Sequence, residues 1–295
     1  MSGRFDRRVA VITGGASGIG RGIALRFAAD GAEVVIADVN QATGAETRDA
    51  AAAAGLTGVT FVHADVSDEP SVVDLIAQTL RRFGRLDCVV NNAGIGGAFG
   101  SVMQTSVEDW DATFAVLVRG VFLGIKHGAR AMVERGTAGS IVNVASVAAF
   151  SGGAAPIAYS SAKAAVVNMT RAAAVELARH RIRVNGVCPG AIKTPLLERG
   201  LPEQSDEILK SLQPWPDAGS VDDVAGAAAY LASDDAAFVT GAMLVIDGGM
   251  LAAGPPLAAR MNAWRASGGD PAAGAGMDHG STGVAASRRS GERQP

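Results

Sequence analysis

Two residues of the segment AYSSAK, Tyr159 and Lys163, lie four positions apart. On a helix, positions i and i+4 share one face, so the phenol and the ammonium would stand side by side. A neighbouring cation favours the phenolate and would lower the pKa of the tyrosine, making it a proton donor or acceptor near neutral pH. The same spacing also suits a surface helix that carries an aromatic residue and a lysine. Other features of the chain must decide between these interpretations.

A glycine-rich segment, TGGASGIG, occupies residues 13–20 between a strand-like run and a helical run. Glycine lets the backbone turn tightly and approach a pyrophosphate, whose charge is stabilised by a helix N-terminus. The glycines at 14, 18 and 20 depart from the usual GxGxxG spacing, and a turn without a ligand is the alternative. Because the segment follows a strand and opens a helix, we expect a dinucleotide site.

Asp38 ends the strand-like run VVIAD, about 20 residues beyond the glycines, where an acidic residue can bind the adenosine ribose hydroxyls. Its carboxylate would repel a 2′-phosphate. No lysine or arginine lies within the glycine segment, so the electrostatics favour NAD over NADP. Aspartate also caps helices well, and that role is compatible with ribose binding.

Further polar residues follow other candidate strands. Asp65-Val66 ends the third, Asn91-Asn92-Ala93-Gly94 the fourth and Ser146 the fifth. In a doubly wound sheet the carboxyl ends of the strands line the ligand crevice, although each of these residues could be a turn former. A hydroxyl at Ser146, opposite Tyr159 and Lys163, would polarise a carbonyl group.

Short β-branched runs alternate with alanine-rich helical stretches as far as about residue 250. The candidate strands are 9–13, 33–38, 59–65, 86–92, 139–146, 182–190 and 243–249. The candidate helices are 18–30, 41–54, 70–83, 109–135, 157–180 and 222–233. This alternation predicts an α/β fold, a single-domain Rossmann-type, doubly wound parallel sheet of about seven strands with helices on both faces.

Composition limits the remaining possibilities. Residues 255–295 are rich in glycine, alanine, serine and proline, so we predict one domain over 1–254 and an extension that is largely disordered from about 267. The net charge of −3, with no basic block, argues against a nucleic-acid partner. The histidines lack ligand spacing, and Cys88 and Cys188 lie in apolar runs, so neither a metal site nor a disulfide is expected. No signal peptide or membrane span is recognised, and a cytoplasmic protein is the default.

Taken together, these motifs resemble the short-chain dehydrogenases/reductases (SDRs). The resemblance covers about residues 5–250 and is carried by TGGASGIG, Asp38, Asp65, NNAG, Ser146, Tyr159-x-x-x-Lys163 and PGAIKT at 189–194. It implies that Tyr159 is the general acid/base, that Lys163 lowers its pKa and holds the nicotinamide ribose, and that Ser146 orients the substrate oxygen. The cofactor site it implies consists of Gly14, Ser17, Gly18, Ile19, Gly20, Asp38, Asp65, Val66, Asn92, Ala93, Gly94, Tyr159, Lys163, Pro189, Gly190, Ile192 and Thr194.

One position departs from the family pattern. The family usually has asparagine seven residues after the tryptophan of WDATFAVLVRGVF, and here Leu117 stands there. In the family, the asparagine carbonyl helps to hold a water of a proton relay and its side chain supports the local helix geometry. Leucine keeps the carbonyl and loses the side chain. We expect slower proton transfer with Ser146, Tyr159 and Lys163 still operating, and the alternative is a cofactor-binding protein with little turnover.

The expected activity is reversible, NAD-dependent oxidation of a secondary alcohol to a ketone. The alternatives are an NADPH-dependent ketoreductase of the 3-oxoacyl-carrier-protein reductase type, which Asp38 disfavours, and a non-catalytic dinucleotide-binding regulator, which only Leu117 favours. Apolar candidate walls at 95–99, 147–150, 154–157 and 196–201 suggest an apolar or alicyclic substrate. The resemblance also implies a lid over about 196–216 and a homotetramer or homodimer.

Overall fold

The computed structural model describes residues 3–198 and 205–253. Seven strands form one sheet in the order β3-β2-β1-β4-β5-β6-β7, and every neighbouring pair is parallel. The strands are β1 (Val9–Thr13), β2 (Glu33–Asp38), β3 (Val59–His63), β4 (Cys88–Asn91), β5 (Ser140–Val144), β6 (Arg183–Pro189) and β7 (Met243–Ile246). The strand order reverses between β1 and β4, the switch point at which open α/β sheets bind ligands. The prediction of a doubly wound parallel sheet is confirmed.

Nine α-helices lie within the described ranges. They are α1 (Gly18–Ala29), α2 (Gln41–Ala53), α3 (Glu69–Phe83), α4 (Val107–Phe114), α5 (Gly120–Glu134), α6 (Ile157–Leu177), α7 (Pro195–Glu198), α8 (Ser205–Ser211) and α9 (Val221–Ala232). Local signals explain several boundaries. Asp68 caps the Ser71 amide at the start of α3, Gly84 ends that helix at φ 75°, and Ser220 and Asp223 form a capping box on α9.

The sheet is buried on both faces, as a parallel sheet with helices on each side requires. All five residues of β1 and of β5 are buried. Val11 and Ile141 belong to one hydrophobic cluster, and Ile12 and Val142 belong to the cluster on the opposite face. The period-two alternation of strand side chains produces these two layers.

Several predicted boundaries were wrong. The strand predicted over 59–65 ends at His63, so Asp65 and Val66 lie in the following loop. The single helix predicted over 109–135 is α4, a π-helical segment at Ala115–Arg119, and α5. Helix α6 ends at Leu177, and a 3₁₀ turn at Ala178–His180 completes the predicted stretch. Extra main-chain hydrogen-bonding patterns of this kind are not visible in hydrophobic periodicity.

By length and composition alone, the stretch Val107–Glu134 could cross a membrane. Half of its most apolar window is buried inside the protein. Helix α5 packs against β4 and α3, which buries part of this apolar surface, while Phe122 and Val133 stay exposed.

The described residues up to Ala252 form one compact unit. The predicted extension from 255, with disorder from about 267, lies outside the described residues. The predicted lid is described only in part, as α7 and α8.

Candidate active site

The turn between β1 and α1 requires glycine at three positions, for close packing or for a left-handed backbone. Gly14 has φ 65°, and an added Cβ would lie 2.7 Å from the Ala93 Cα. An added Cβ at Gly20 would overlap with the Gly14 carbonyl oxygen. Gly18 has φ 51°, in the left-handed region, and an added Cβ would only be in van der Waals contact with the Thr194 side chain, at 3.5 Å. Gly14 and Gly20 thus permit close packing, while Gly18 is required for its left-handed backbone conformation.

A network from β4 holds this turn in place. Thr13 Oγ1 accepts hydrogen bonds from the Asn92 and Ala93 amides at 3.0 and 3.1 Å. Asn92 Nδ2 donates to the Thr13 and Gly14 carbonyls at 2.9 and 3.2 Å. The Asn92 amide group therefore braces the main chain of the turn and is already engaged there, while Gly94 follows it along the crevice.

Asp38 lies at the end of β2 beside the glycine turn. Its Oδ2 accepts from the Ala16 amide at 3.2 Å and its Oδ1 accepts from the Asn40 amide at 3.0 Å. The buried Thr47 hydroxyl donates to the Ala16 carbonyl at 2.9 Å. Each carboxylate oxygen keeps lone-pair capacity for a ribose hydroxyl. The side-chain cap of α2 is Asn40, which accepts from the Thr43 amide, and not Asp38.

Two of the predicted cofactor-site residues, Asp65 and Val66, lie in the loop after β3. Asp65 Oδ1 accepts from both the amide and the hydroxyl of Ser67, at 2.8 and 2.7 Å. Val66 is buried, and an added Cβ at Gly120 would lie 2.9 Å from its Cγ2. Val66 therefore packs against the start of α5.

Ser146, Tyr159 and Lys163 come together at the carboxyl end of β5. Ser146 opens a 3₁₀ turn at Val147–Ala149 and its Oγ accepts from the Ala148 amide at 3.1 Å. Tyr159 and Lys163 lie on the first two turns of α6, with Lys163 Nζ 5.5 Å from the centre of the tyrosine ring. Lys163 is 4% exposed, and its Nζ donates to the Val144 carbonyl at 2.8 Å.

Burial has the largest effect on the pKa values of Tyr159 and Lys163, which together with Ser146 form one corner of the candidate site. It raises the pKa of Tyr159, and a hydrogen bond from Ser146 lowers that pKa only in part. Burial also lowers the pKa of Lys163 to about 8, against a smaller opposite effect of the Cys188 thiol. The expected lowering of the Tyr159 pKa by Lys163 is therefore not observed. Desolvation of the phenol outweighs it, and the lysine ammonium is directed at Val144.

Leu117 occupies the wall next to the lysine. It is fully buried within the π-helical segment. An added Cβ at Gly94 would lie 3.3 Å from Leu117 Cδ2 and 4.0 Å from Lys163 Nζ. Gly94, Leu117 and Lys163 therefore border one small space. The π-helical segment at Ala115–Arg119 forms with leucine at position 117, so it does not require an asparagine side chain there.

The segment after β6 closes the site. Gly190, which follows Pro189, packs on Asp247, whose Cα would lie 2.8 Å from an added Cβ. Ile192 is 5% exposed and its side chain belongs to the core. Thr194 Oγ1 accepts from the Leu197 amide at 3.4 Å and faces Gly18.

The N-terminus of α1 has the features of an anion site. Ser17 is exposed at the N-cap without a side-chain cap bond, and Ile19 packs partly on the core. Unpaired amides at a helix start attract a phosphate. With Asp38 at one end and Lys163 at the other, the residues present fit a dinucleotide. Within the described ranges, no three His, Cys, Asp or Glu side chains could share a metal ion.

The expectation that Asn91 lines the crevice was wrong, because Asn91 is buried within β4. It begins a chain of buried polar residues below the site, and the other two members, Asn143 and Thr170, were missed by sequence reasoning. The only available signal was a polar residue inside the apolar run SIVNV. Nothing in that run identifies the partner of Asn143 on a distant helix.

Comparisons with known proteins identify the family of this chain. A family model described as enoyl-(acyl carrier protein) reductase matches residues 14–251. The chain belongs to the SDR family. The dehydrogenase subunit BbsD of Thauera aromatica, named for (2S)-[(R)-hydroxy(phenyl)methyl]succinyl-CoA, is 46% identical over 83% of this chain and 97% of its own length.

Two further SDR relatives extend the likeness. A 2,5-dichloro-2,5-cyclohexadiene-1,4-diol dehydrogenase of Sphingobium indicum is 41% identical over 82% of this chain and 96% of its own length. The crystal structure of levodione reductase matches with a TM-score of 0.80 and 38% identity over 84% of this chain and 99% of that chain. This SDR is therefore an oxidoreductase that uses a nicotinamide cofactor and acts on alcohol or carbonyl groups of small molecules.

Proposed function

We propose that the protein is an NAD-dependent oxidoreductase that interconverts a secondary alcohol and a ketone, with Tyr159 as general acid/base. The observation that carries the proposal is the convergence of Ser146, Tyr159 and Lys163 at the sheet edge that also holds the glycine turn. The catalytic and cofactor-binding roles of the individual residues are part of this proposal.

The chain's own groups account for proton transfer. In the reducing direction, a Tyr159 hydroxyl with a raised pKa is protonated at neutral pH and donates its proton to the forming alkoxide. In the oxidising direction, the Ser146 hydrogen bond stabilises the phenolate that takes the carbinol proton. Lys163, with a pKa of about 8, is mostly cationic at pH 7 and donates to the Val144 carbonyl beside this pair. When bound, NAD supplies the hydride acceptor.

The choice of NAD rests on Asp38. Its carboxylate sits against the Ala16 amide of the glycine turn, where a 2′-phosphate would meet a like charge. Among ketoreductase alternatives, this feature disfavours NADPH.

A cofactor comparison tests both the activity and the choice of NAD. NAD and NADP are assayed with a panel of alicyclic and aryl secondary alcohols, in the wild type and in Asp38→Asn. The amide keeps an acceptor for Ala16 and removes the charge, so we expect the NADP to NAD ratio of kcat/KM to rise at least about tenfold. Wild-type preference for NADP would overturn the assignment of NAD.

We propose an apolar or alicyclic substrate. The segments predicted to line or cover the substrate site carry these exposed apolar side chains: Ile95, Phe99, Phe150, Ile157, Leu196 and Trp215. The names of two relatives specify a phenyl-bearing alcohol and a cyclohexadiene diol. Preferential turnover of acyl-carrier-protein thioesters would instead favour the ketoreductase alternative.

A second candidate, a dinucleotide-binding protein with little turnover, is favoured only by Leu117. Binding of NAD without turnover of any alcohol or ketone would support it.

We further propose a cytoplasmic homo-oligomer, a tetramer or a dimer. Exposed apolar side chains at Val175, Phe238, Leu244 and Val245 support self-association. Light scattering on the purified protein measures the assembly directly.

A further inference from the structure

The buried polar chain below the candidate site runs in one direction from β4 to α6. Asn91 Nδ2 donates to Asn143 Oδ1 at 2.8 Å, and Asn143 Nδ2 donates to Thr170 Oγ1 at 2.9 Å. The Thr170 hydroxyl in turn donates to the Val166 carbonyl at 2.8 Å. Asn143 and Thr170 are both 0% exposed.

This polar chain is not the arrangement that stability alone would favour. Buried polar groups oppose folding unless they are paired, and well-packed apolar side chains often serve as well. Asn91 Oδ1 has no hydrogen-bond partner among the described residues. It faces α5 at Gly124, where an added Cβ would overlap with it. A role in fixing geometry would explain why such a group is buried here.

The polar chain ends on the helix that carries Tyr159 and Lys163. Thr170 lies seven residues after Lys163, about two helical turns, on the same face of α6. Lys163 Nζ bonds the carbonyl of Val144, the residue after Asn143. Two adjacent residues of β5 therefore hold α6 at points two turns apart.

Most of the fully buried apolar side chains of α6 are small, although Met169 and Leu177 also pack partly against the core. The buried side chains of α6 near this contact include the small residues Ala158, Ala162, Val166 and Val167. Small apolar residues permit sliding between neighbouring elements, whereas a single buried polar contact specifies one register. The Asn143 amide can meet the Thr170 hydroxyl in only one register.

We propose that the Asn143–Thr170 hydrogen bond sets the register of α6 against β5 and thereby places Tyr159 and Lys163 opposite Ser146. The inference rests on the proposed function of those three residues. Asn143 and Thr170 are positioning residues, because they act through α6. A displacement of about 1 Å at a reacting group can cost up to about a hundredfold in rate.

The chain offers a matched control for a test. Thr79 in α3 is 1% exposed, and its hydroxyl donates to the Leu75 carbonyl at 2.9 Å, four residues earlier. Thr170→Val and Thr79→Val therefore each remove the same type of bond, from a threonine hydroxyl to the carbonyl four residues earlier in its helix. Only Thr170→Val also removes an acceptor from a neighbouring element. Thr170→Ser keeps the hydroxyl and serves as the conservative variant.

The test measures kcat, the Kd of NAD by calorimetry, Tm, and hydrogen exchange of the α6 amides in the cofactor-free protein. We expect Thr170→Val to lower kcat by about tenfold to a hundredfold and to speed exchange across α6. Thr79→Val should lower Tm while kcat and α6 exchange stay at wild-type values. Thr170→Ser should restore kcat. If Thr170→Val does not fold, the pair Thr170→Ala and Thr79→Ala gives the same comparison.

The proposal is overturned if Thr170→Val has a lower Tm, as Thr79→Val does, but keeps the wild-type kcat and the wild-type hydrogen exchange of α6. If the wild type binds NAD and turns over no alcohol or ketone, the proposed function fails while the positioning role remains testable. In that case faster α6 exchange with weaker NAD binding in Thr170→Val supports the role. Unchanged exchange and affinity overturn it.

Discussion

The glycine turn and the corner of Ser146, Tyr159 and Lys163 meet at one sheet edge. In the turn the polar groups are held by hydrogen bonds, whereas in the corner burial perturbs the pKa values. In the turn, the side chain of Asn92 binds two carbonyls and Thr13 binds two amides. In the corner, burial opposes ionisation of both Tyr159 and Lys163. A phosphate site needs a fixed main chain, whereas proton transfer needs groups with perturbed pKa values. Changes in the turn should therefore affect folding and NAD affinity, and changes in the corner should affect turnover.

Tyr159→Phe should show the largest effect and confine it to turnover. Removal of the proposed acid/base is expected to lower kcat by about 10²–10⁴-fold, with NAD still bound. Tyr230→Phe is a suitable control, because Tyr230 is the only other tyrosine and lies on α9. Both variants are compared by steady-state rates and by NAD calorimetry. Substantial residual activity of Tyr159→Phe would contradict the proposed mechanism.

Gly20→Ala should show the opposite pattern, with loss of stability and of NAD binding. The new methyl group would overlap with the Gly14 carbonyl and the Asn92 amide, at a cost of about 1–3 kcal/mol or more. Gly152→Ala adds the same methyl group where no atom lies within 4 Å. Urea denaturation and NAD calorimetry compare the two. Equal stability of the two variants would mean that the turn is not as tightly packed as the structure shows.

The buried ammonium of Lys163 should appear in the pH dependence of stability. Its pKa of about 8 lies below the ordinary 10.5, so the unfolded chain binds more protons between these two pH values. The free energy of unfolding of the wild type should therefore rise across that window relative to Lys163→Met, by about 3 kcal/mol in total. Urea denaturation at several pH values measures the difference.

Lys126→Met, at an exposed position, controls for the loss of a lysine. Parallel stability curves for the wild type and Lys163→Met between pH 8 and 10.5 would show that the ammonium is not desolvated.

Leu117→Asn should have the smallest effect. The proton-transfer groups do not depend on the leucine side chain, so we expect kcat to change by less than about tenfold. An increase would show that the apolar wall beside Gly94 and Lys163 slows proton transfer. A silent wild type revived by this variant would favour the cofactor-binding alternative. Leu117→Met, which conserves volume and polarity, separates packing from polarity.

Much of the fold could be predicted because strands and helices alternate strongly in this sequence. The predicted β1 and β2 match the observed bounds at 9–13 and 33–38. The ends of β3 and the division of α4 from α5 were not predicted, because boundaries depend on main-chain hydrogen bonds that hydrophobic periodicity does not report. Helix α8 was missed because a seven-residue helix has too few turns to show a period.

For the site, the sequence by itself determined which residue types stand at the strand ends and which share a helix face. Those properties follow from local spacing, as with Tyr159 and Lys163 or the glycines at 14, 18 and 20. Only the tertiary structure decided that the Tyr159 pKa rises, that the Ile192 side chain belongs to the core, and that Asn143 meets Thr170. Desolvation and contacts between distant elements arise when the chain packs, so no local pattern encodes them.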